Sequence, residues 1–168
     1  VYSAANKDKI PEIEAFCSKL PLDGCDLGFI RGDVGESPLK QVDAAEFIRV
    51  ANKFEPLREL RKSSLALGSF VGIVEEMRLS AIREIYRSRK MPFHCVAGEK
   101  MLVISEQGRV RPCELLGTSF GELRGNAYDI RRVLDSERAR NILADIRAKK
   151  CFCTWECAIT NSIVHDPA

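Results

Sequence analysis

Cysteines are the residues of this chain most able to do chemistry, and five of the seven follow a regular pattern toward the C-terminus. Cys95 is followed by twelve residues, Gly108, four further residues and Cys113. The other three lie in the string Cys-Phe-Cys-Thr-Trp-Glu-Cys at residues 151–157. Each group alone is too compact in sequence to surround an ion. Folded together, they supply four or five soft thiolate ligands, which suit zinc or an iron–sulfur cluster.

The tight spacing of the C-terminal trio favours a cluster over zinc. Structural zinc sites commonly use Cys-x2–4-Cys pairs, which are more open than the Cys-x-Cys found here. Two alternatives remain: a zinc-stabilised structural or interaction module, and five buried cysteines that pack as small hydrophobic side chains. A cubane needs four thiolates, so one cysteine is spare or belongs to a second centre. The candidate metal ligands are Cys95, Cys113, Cys151, Cys153 and Cys157.

Composition restricts the class of protein and its partners. The chain has 168 residues, of which 45% are hydrophobic and 30% charged, as in typical soluble domains. A net charge of +2 gives no strong electrostatic reason to expect a nucleic-acid or membrane partner. No apolar run reaches membrane-spanning length, and no secretory signal is recognisable. An odd number of clustered cysteines fits metal binding better than a disulfide framework, so we predict a cytoplasmic protein.

The elements around the cysteines must bring the two groups together. Residues 101–104 and 109–111 predict a β-hairpin with its turn at 106–108, flanked by Cys95 and Cys113. A glycine-containing loop follows, and then a short helix at 128–134. Ser136 is expected to cap the next helix, whose C-terminal end delivers residues 151–157.

The first part of the chain predicts helices around one short strand. A helix is expected over residues 8–20, and a strand over 27–30 that ends at Arg31-Gly32-Asp33. Arg31 would therefore lie where α/β folds place ligand contacts, although a surface ion pair is equally consistent with its position. Asp43 is expected to cap a second helix. Residues 57–89 have helical composition, in which Gly68 and Gly72 favour two helices over one, and we place a domain boundary near residue 93.

The remaining cysteines, histidines and the tryptophan are given mainly structural roles. Cys17 lies on the apolar stripe of the first helix and is assigned to the core, and Cys25 is assigned a structural role. His94 could bind the metal or donate to a ligand, but a partly exposed linker position is favoured. His165 is expected to be solvated. Trp155 stands between two candidate ligands and is expected to shield a cluster from solvent.

Several stretches of the second half carry a family resemblance. They are Cys95 and Cys113 around Gly108, Gly121-Glu-Leu-Arg, Asn126-Ala-Tyr-Asp-Ile, and Lys150-Cys-Phe-Cys-Thr-Trp-Glu-Cys-Ala. They resemble the C-terminal extension of radical S-adenosylmethionine enzymes, called the SPASM domain or, in its shorter form, the twitch domain. The resemblance is dense over residues 93–161. Residues 1–92 resemble, more loosely, the second half of the partial barrel of these enzymes.

This resemblance implies a fold, cofactors and partners. The fold would be α/β: the C-terminal part of a partial (β/α) barrel over residues 1–93, followed by a small β-hairpin-plus-helix, twitch-like iron–sulfur domain over 94–168. The cofactors would be an auxiliary 4Fe–4S cluster and, in the full-length parent, S-adenosylmethionine, with Arg31 as a cofactor-binding residue. The parent would act on a small molecule or peptide and receive electrons from a donor such as flavodoxin or ferredoxin.

The chain departs from the family pattern in two respects. The Cys-x3-Cys-x2-Cys motif that holds the radical-generating cluster is absent, so we expect no catalytic residue and no activity from this chain alone. The C-terminal cysteine series is also short, which favours one auxiliary cluster over two. We therefore expect the auxiliary-cluster half of such an enzyme, without its catalytic N-terminal half. A free-standing electron-transfer protein is the rival interpretation within iron–sulfur chemistry.

Overall fold

A computed structural model describes residues 1–22, 25, 27–31, 42–54 and 66–165. The chain divides into two compact units, Val1–Tyr86 and Arg87–Ala168, whereas the sequence suggested a boundary near residue 93. The described helices and strands make a mixed α/β protein, as predicted at that coarse level. None of the described helices is long and apolar enough to cross a membrane.

The first unit begins with a 3-10 turn, Lys7–Lys9, and helix α1, Ile10–Cys17. This confirms the helix predicted over residues 8–20. Pro11 lies in the first turn, where its missing N–H costs nothing. The apolar stripe is only partly buried, because Ile10 is enclosed while Leu20 is exposed.

A parallel β-bridge joins the segments on either side of α1. Tyr2 pairs with Phe29: the Tyr2 N–H donates to the Gly28 carbonyl at 2.6 Å, and the Ile30 N–H donates to the Tyr2 carbonyl at 3.0 Å. The predicted strand over residues 27–30 is therefore reduced to a single bridge. Its order, extended segment, helix and parallel extended segment, is that of a βαβ unit.

Helix α2, Ala44–Lys53, begins where its sequence predicted. The Asp43 carboxylate accepts a hydrogen bond from the Ala45 N–H at 2.8 Å, which confirms the predicted N-cap. Phe47 is buried and packs edge-to-face on Phe29, with ring centroids 4.8 Å apart. The apolar face of α2 thus covers the bridge between the two extended segments.

Helix α3, Ala66–Ser88, is continuous through Gly68 and Gly72, so neither glycine interrupts the described helix. Whether 57–89 forms one helix or two stays a prediction, because its first part lies outside the described residues. A glycine costs a helix about 1 kcal/mol relative to alanine. Burial of Ile82 and Ile85 in the later turns provides packing that favours the helix. The loop predicted at Gly32 and Asp33, and the predicted helical stretch over 57–65, lie outside the described residues.

The second unit contains a three-stranded antiparallel sheet in the order β1-β2-β3. Its strands are β1 (Val103–Ile104), β2 (Arg109–Arg111) and β3 (Gly121–Glu122). Val103 is opposite Arg111, which confirms the predicted hairpin. Gly108 closes the turn with φ +83°, a conformation that glycine adopts readily. Strand β3 was predicted as loop, because glycine has low strand propensity.

The described residues that follow the sheet form a 3-10 turn, Arg124–Asn126, and the helices α4 (Ile130–Leu134), α5 (Glu137–Arg147) and α6 (Glu156–His165). The Ser136 hydroxyl accepts from the Ala139 N–H at 3.1 Å, confirming the predicted cap of α5. Helix α6 was not predicted. The core between sheet and helices is formed by buried Val110, Phe120, Val133 and Ala139, with Leu102, Leu123, Leu134, Ile142 and Leu143 packed against it.

Candidate metal centre

Cys95 is buried and directly precedes a tight turn over residues 96–101, which we call the Cys95 turn and which leads into the hairpin. Gly98, which was not singled out from the sequence, makes this turn possible. It has φ +83°, and a Cβ built on it would lie 2.7 Å from the Phe120 ring and 2.8 Å from Leu143. Any side chain there would be strained as well as crowded, so the conformation next to Cys95 depends on glycine.

Cys113 directly follows Pro112 at the end of β2 and is also buried. The Leu116 N–H donates to the Cys113 sulfur at 3.3 Å. A hydrogen bond to sulfur stabilises the thiolate, which is the form that binds metal.

The C-terminal end of α5 positions the next two candidate ligands, Cys151 and Cys153. Lys149 adopts a left-handed conformation with φ 55°, and the Lys150 N–H donates to the Asp145 carbonyl at 3.1 Å. This is a Schellman-type helix end, here without the usual glycine. It releases the chain into the irregular segment that carries Cys151 and Cys153.

The pKa shifts of the buried thiols link four cysteines from both groups. Burial raises the pKa of Cys153 to about 11 from its ordinary 9.0, and Cys95, Cys113 and Cys151 add to the rise. Burial is also the largest cause of the raised pKa of Cys151, and the charges of Cys95 and Cys113 contribute in the same direction. Coulomb interactions weaken with distance, so these contributions favour a common region of the second unit for the four thiols.

The pKa of Cys95 is raised chiefly by burial, and the charge of Cys113 contributes in the same direction. A hydrogen bond from the Ala97 backbone opposes this rise. Nearby, the Ser162 hydroxyl accepts from the Val96 N–H at 3.2 Å and donates to the Ala158 carbonyl at 2.7 Å. Helix α6 is thereby tied to the Cys95 turn.

Cys157, the fifth candidate, differs from the other four. It lies in the first turn of α6 and is exposed. The other four candidates are buried or half-buried. The four other thiols form what we call the four-thiol group: Cys95, Cys113, Cys151 and Cys153. Within the described residues, no three or more Cys, His, Asp or Glu side chains are already arranged as a metal-binding group.

Neither histidine belongs to a metal-binding group of side chains among the described residues. His94 lies 3.3 Å from the Glu99 carboxylate, measured from Nε2 to Oε2, and its side chain is 40% exposed. Glu99 also accepts a hydrogen bond at 2.7 Å from Nε of Arg147 on α5. These contacts connect the Cys95 turn to α5. His165 is exposed at the end of α6, in agreement with its expected solvation.

Trp155 carries a buried indole N–H that has no hydrogen-bond partner among the described residues. A hydrogen bond from the Trp155 backbone N–H lowers the pKa of Cys153. The Trp155 backbone therefore lies next to the Cys153 sulfur. A buried donor without an acceptor costs about 1–3 kcal/mol. The indole therefore needs an acceptor that the described protein atoms do not supply.

A cavity of about 200 Å³ adjoins Cys151. Leu116, Ile142 and Ile146 contribute apolar surface to it. An ion pair of 2.6 Å between Lys150 Nζ and Asp145 Oδ1 involves two further lining residues. The cavity thus has a partly apolar lining that also includes one ion pair and Cys151 of the four-thiol group.

In the first unit, Arg31 follows the Phe29 bridge directly. Its Nη1 donates to the Phe29 carbonyl at 2.8 Å, and its guanidinium lies 5.7 Å from the centre of the Phe29 ring. These contacts hold the side chain against its own strand segment. Its assignment as a cofactor-binding residue stays a prediction.

Comparison of the chain with family models, with curated proteins and with solved structures finds no significant match.

Proposed function

We propose that the second unit binds an auxiliary 4Fe–4S cluster, as the SPASM or twitch domain of a radical S-adenosylmethionine enzyme does. The observation that carries this proposal is the four-thiol group, because it draws on two cysteine stretches that are distant in sequence. Four cysteine thiolates are the usual ligand set of a 4Fe–4S cluster. Cys157 is the spare cysteine in this assignment.

Two hydrogen bonds favour thiolates in the four-thiol group, against the burial that raises the pKa values of Cys95, Cys151 and Cys153. The Leu116 N–H already donates to the Cys113 sulfur, and the Ala97 backbone N–H favours the thiolate of Cys95. The unpartnered indole N–H of Trp155 is a further donor that a cluster sulfur could satisfy. When bound, such a cluster supplies one-electron transfer or an anchor for substrate, at a potential set by burial and by hydrogen bonds to sulfur.

The cavity next to Cys151 supports the substrate-anchoring role. Its apolar surface and the adjacent Lys150–Asp145 pair suit part of a small molecule or peptide. The substrate itself, and a flavodoxin- or ferredoxin-type electron donor, belong to the proposal through the family resemblance alone.

The first unit is proposed to derive from the partial (β/α) barrel of the same enzyme. The parallel bridge between Tyr2 and Phe29, with α1 between them, supports this assignment. Parallel pairing connected through a helix is the repeating unit of such barrels. Arg31 at the end of the second segment is proposed to contact S-adenosylmethionine in the full-length parent.

Anaerobic reconstitution distinguishes this function from a zinc-stabilised module. The chain is loaded with iron and sulfide, desalted, and analysed for iron, acid-labile sulfide and zinc. We expect about four iron and four sulfide per chain, with the brown colour of a 4Fe–4S protein. Tight stoichiometric zinc without sulfide, under the same conditions, would contradict the proposal and favour the structural module.

A further inference from the structure

The first unit contains a second pair of thiols that the proposed function does not use. Cys17 is the last residue of α1, and Cys25 lies in the segment that leads to the parallel bridge. Their sulfurs are 3.7 Å apart, and both residues are half-buried thiols, not a disulfide. This contact was not predicted, because the sequence assigned Cys17 to the core.

We infer that Cys17 and Cys25 form a redox modification site, which is converted to an intrachain disulfide by a small-molecule disulfide such as oxidised glutathione. A disulfide requires an S–S distance of about 2.05 Å. The sulfurs must therefore approach by less than about 2 Å from their 3.7 Å separation. Partial exposure leaves them accessible to a small oxidant.

The reaction balances as two thiol–disulfide exchanges. One cysteine thiolate attacks a sulfur of oxidised glutathione, which forms a mixed disulfide and releases one glutathione thiolate. The second cysteine thiolate then attacks the protein sulfur of the mixed disulfide and releases the second glutathione. The protein loses two protons and two electrons, and oxidised glutathione takes them up to become two molecules of reduced glutathione.

The bond would fix the end of α1 to the segment that continues into Phe29 and Arg31. That segment is otherwise joined to the chain start by backbone hydrogen bonds to Tyr2. Because the pair belongs to the first unit and uses none of the four-thiol group, the inference does not depend on the cluster.

Tryptic mapping of the full chain tests the inference, because Lys19 lies between the two cysteines. The chain is equilibrated with oxidised and reduced glutathione, quenched with an alkylating agent, and digested without reduction. We expect residues 10–19 and 20–31 to appear as one cross-linked species that separates on reduction. Cys25→Ser should remove this species and leave the peptide over 10–19 alkylated or glutathionylated.

Three outcomes would overturn the inference: alkylation of both peptides in the wild type, stable mixed disulfides with glutathione at both cysteines, or cross-linking of either cysteine mainly to residues 151–157. As a folding control, Cys25→Ser should keep the wild-type circular dichroism spectrum. Loss of the cross-link can then be attributed to the missing thiol.

Discussion

Burial raises the pKa values of Cys95, Cys151 and Cys153 when no metal is bound. The pKa of Cys153 is about 11, raised by burial and by Cys95, Cys113 and Cys151. The folded chain therefore holds this proton more tightly than the unfolded chain, whose thiol has the ordinary value of 9.0. Metal binding must displace such protons, so the affinity for metal should rise with pH.

The same shift predicts how the stability of the metal-free chain depends on pH. Below pH 9 both states keep the Cys153 proton, and its contribution is fully present. As the pH rises from about 9 to about 11, only the unfolded state ionises, so the free energy of unfolding should fall. Urea denaturation on both sides of pH 9 measures this fall. The fall in the free energy of unfolding should be shallower in Cys153→Ala than in the wild type. Parallel curves for the two proteins would contradict the raised pKa of Cys153.

Trp155 offers a second test at the scale of one residue. Trp155→Phe removes the unpartnered indole N–H and keeps an aromatic ring. If the N–H donates to a cluster sulfur, its loss should make the reduction potential of the loaded protein more negative. In the metal-free chain two effects on stability oppose each other, because the substitution relieves about 1–3 kcal/mol for a donor without a partner among the described residues but replaces the indole by a smaller ring.

Phe152→Leu is the matched control for Trp155→Phe. Phe152 also lies among the candidate ligands, but it is 40% exposed and its side chain has no N–H to donate. Its substitution should leave the potential at the wild-type value. Equal potentials in wild type and Trp155→Phe would show that the indole does not contact the cluster.

At the scale of elements, the Cys95 turn depends on the packing of Gly98. Gly98→Ala would place a Cβ at 2.7 Å from Phe120 in a left-handed conformation. The conformational cost and the overpacking together should lower the free energy of unfolding by about 2 kcal/mol or more. Gly117→Ala is the control, because nothing lies within 4 Å of its added Cβ. Urea midpoints at neutral pH compare the two variants, and equal midpoints would contradict the packing described for the turn.

The elements differ in how far their sequences predicted them. Polar caps at Asp43 and Ser136 correctly located α2 and α5, since each cap acts through a local hydrogen bond. Strand β3 was missed because its pairing depends on β2 rather than on local propensity. The continuity of α3 through Gly68 shows tertiary packing prevailing over propensity.

For the candidate site, too, local sequence spacing was informative, whereas contacts between distant segments could not be predicted from it. Spacing identified the five cysteines, but it could not say which four would hold the proposed cluster. That selection depends on where the end of α5 directs the chain and on α6, which carries the exposed Cys157. The contact between Cys17 and Cys25 was equally hidden, since it requires the fold of the segment after α1.

At the scale of the whole molecule, the chain lacks the Cys-x3-Cys-x2-Cys motif for radical generation. Radical generation requires a cluster with one iron open to S-adenosylmethionine, whereas the four-thiol group would ligate every iron. We expect the reduced, iron-loaded chain to form no 5′-deoxyadenosine from S-adenosylmethionine, as measured by chromatography. A radical enzyme with the intact motif provides the positive control. Catalytic formation of 5′-deoxyadenosine would refute the auxiliary role.

The central claim is that two distant cysteine stretches hold one cluster through four particular thiols. Iron retained after anaerobic reconstitution and desalting tests it most directly, in single Cys→Ala variants. We expect loss of the cluster in Cys113→Ala and in the matching variants of Cys95, Cys151 and Cys153. Cys157→Ala and Cys17→Ala should retain about four iron, as the wild type does. Full iron in Cys113→Ala, or equal loss in Cys113→Ala and Cys157→Ala, would contradict the account.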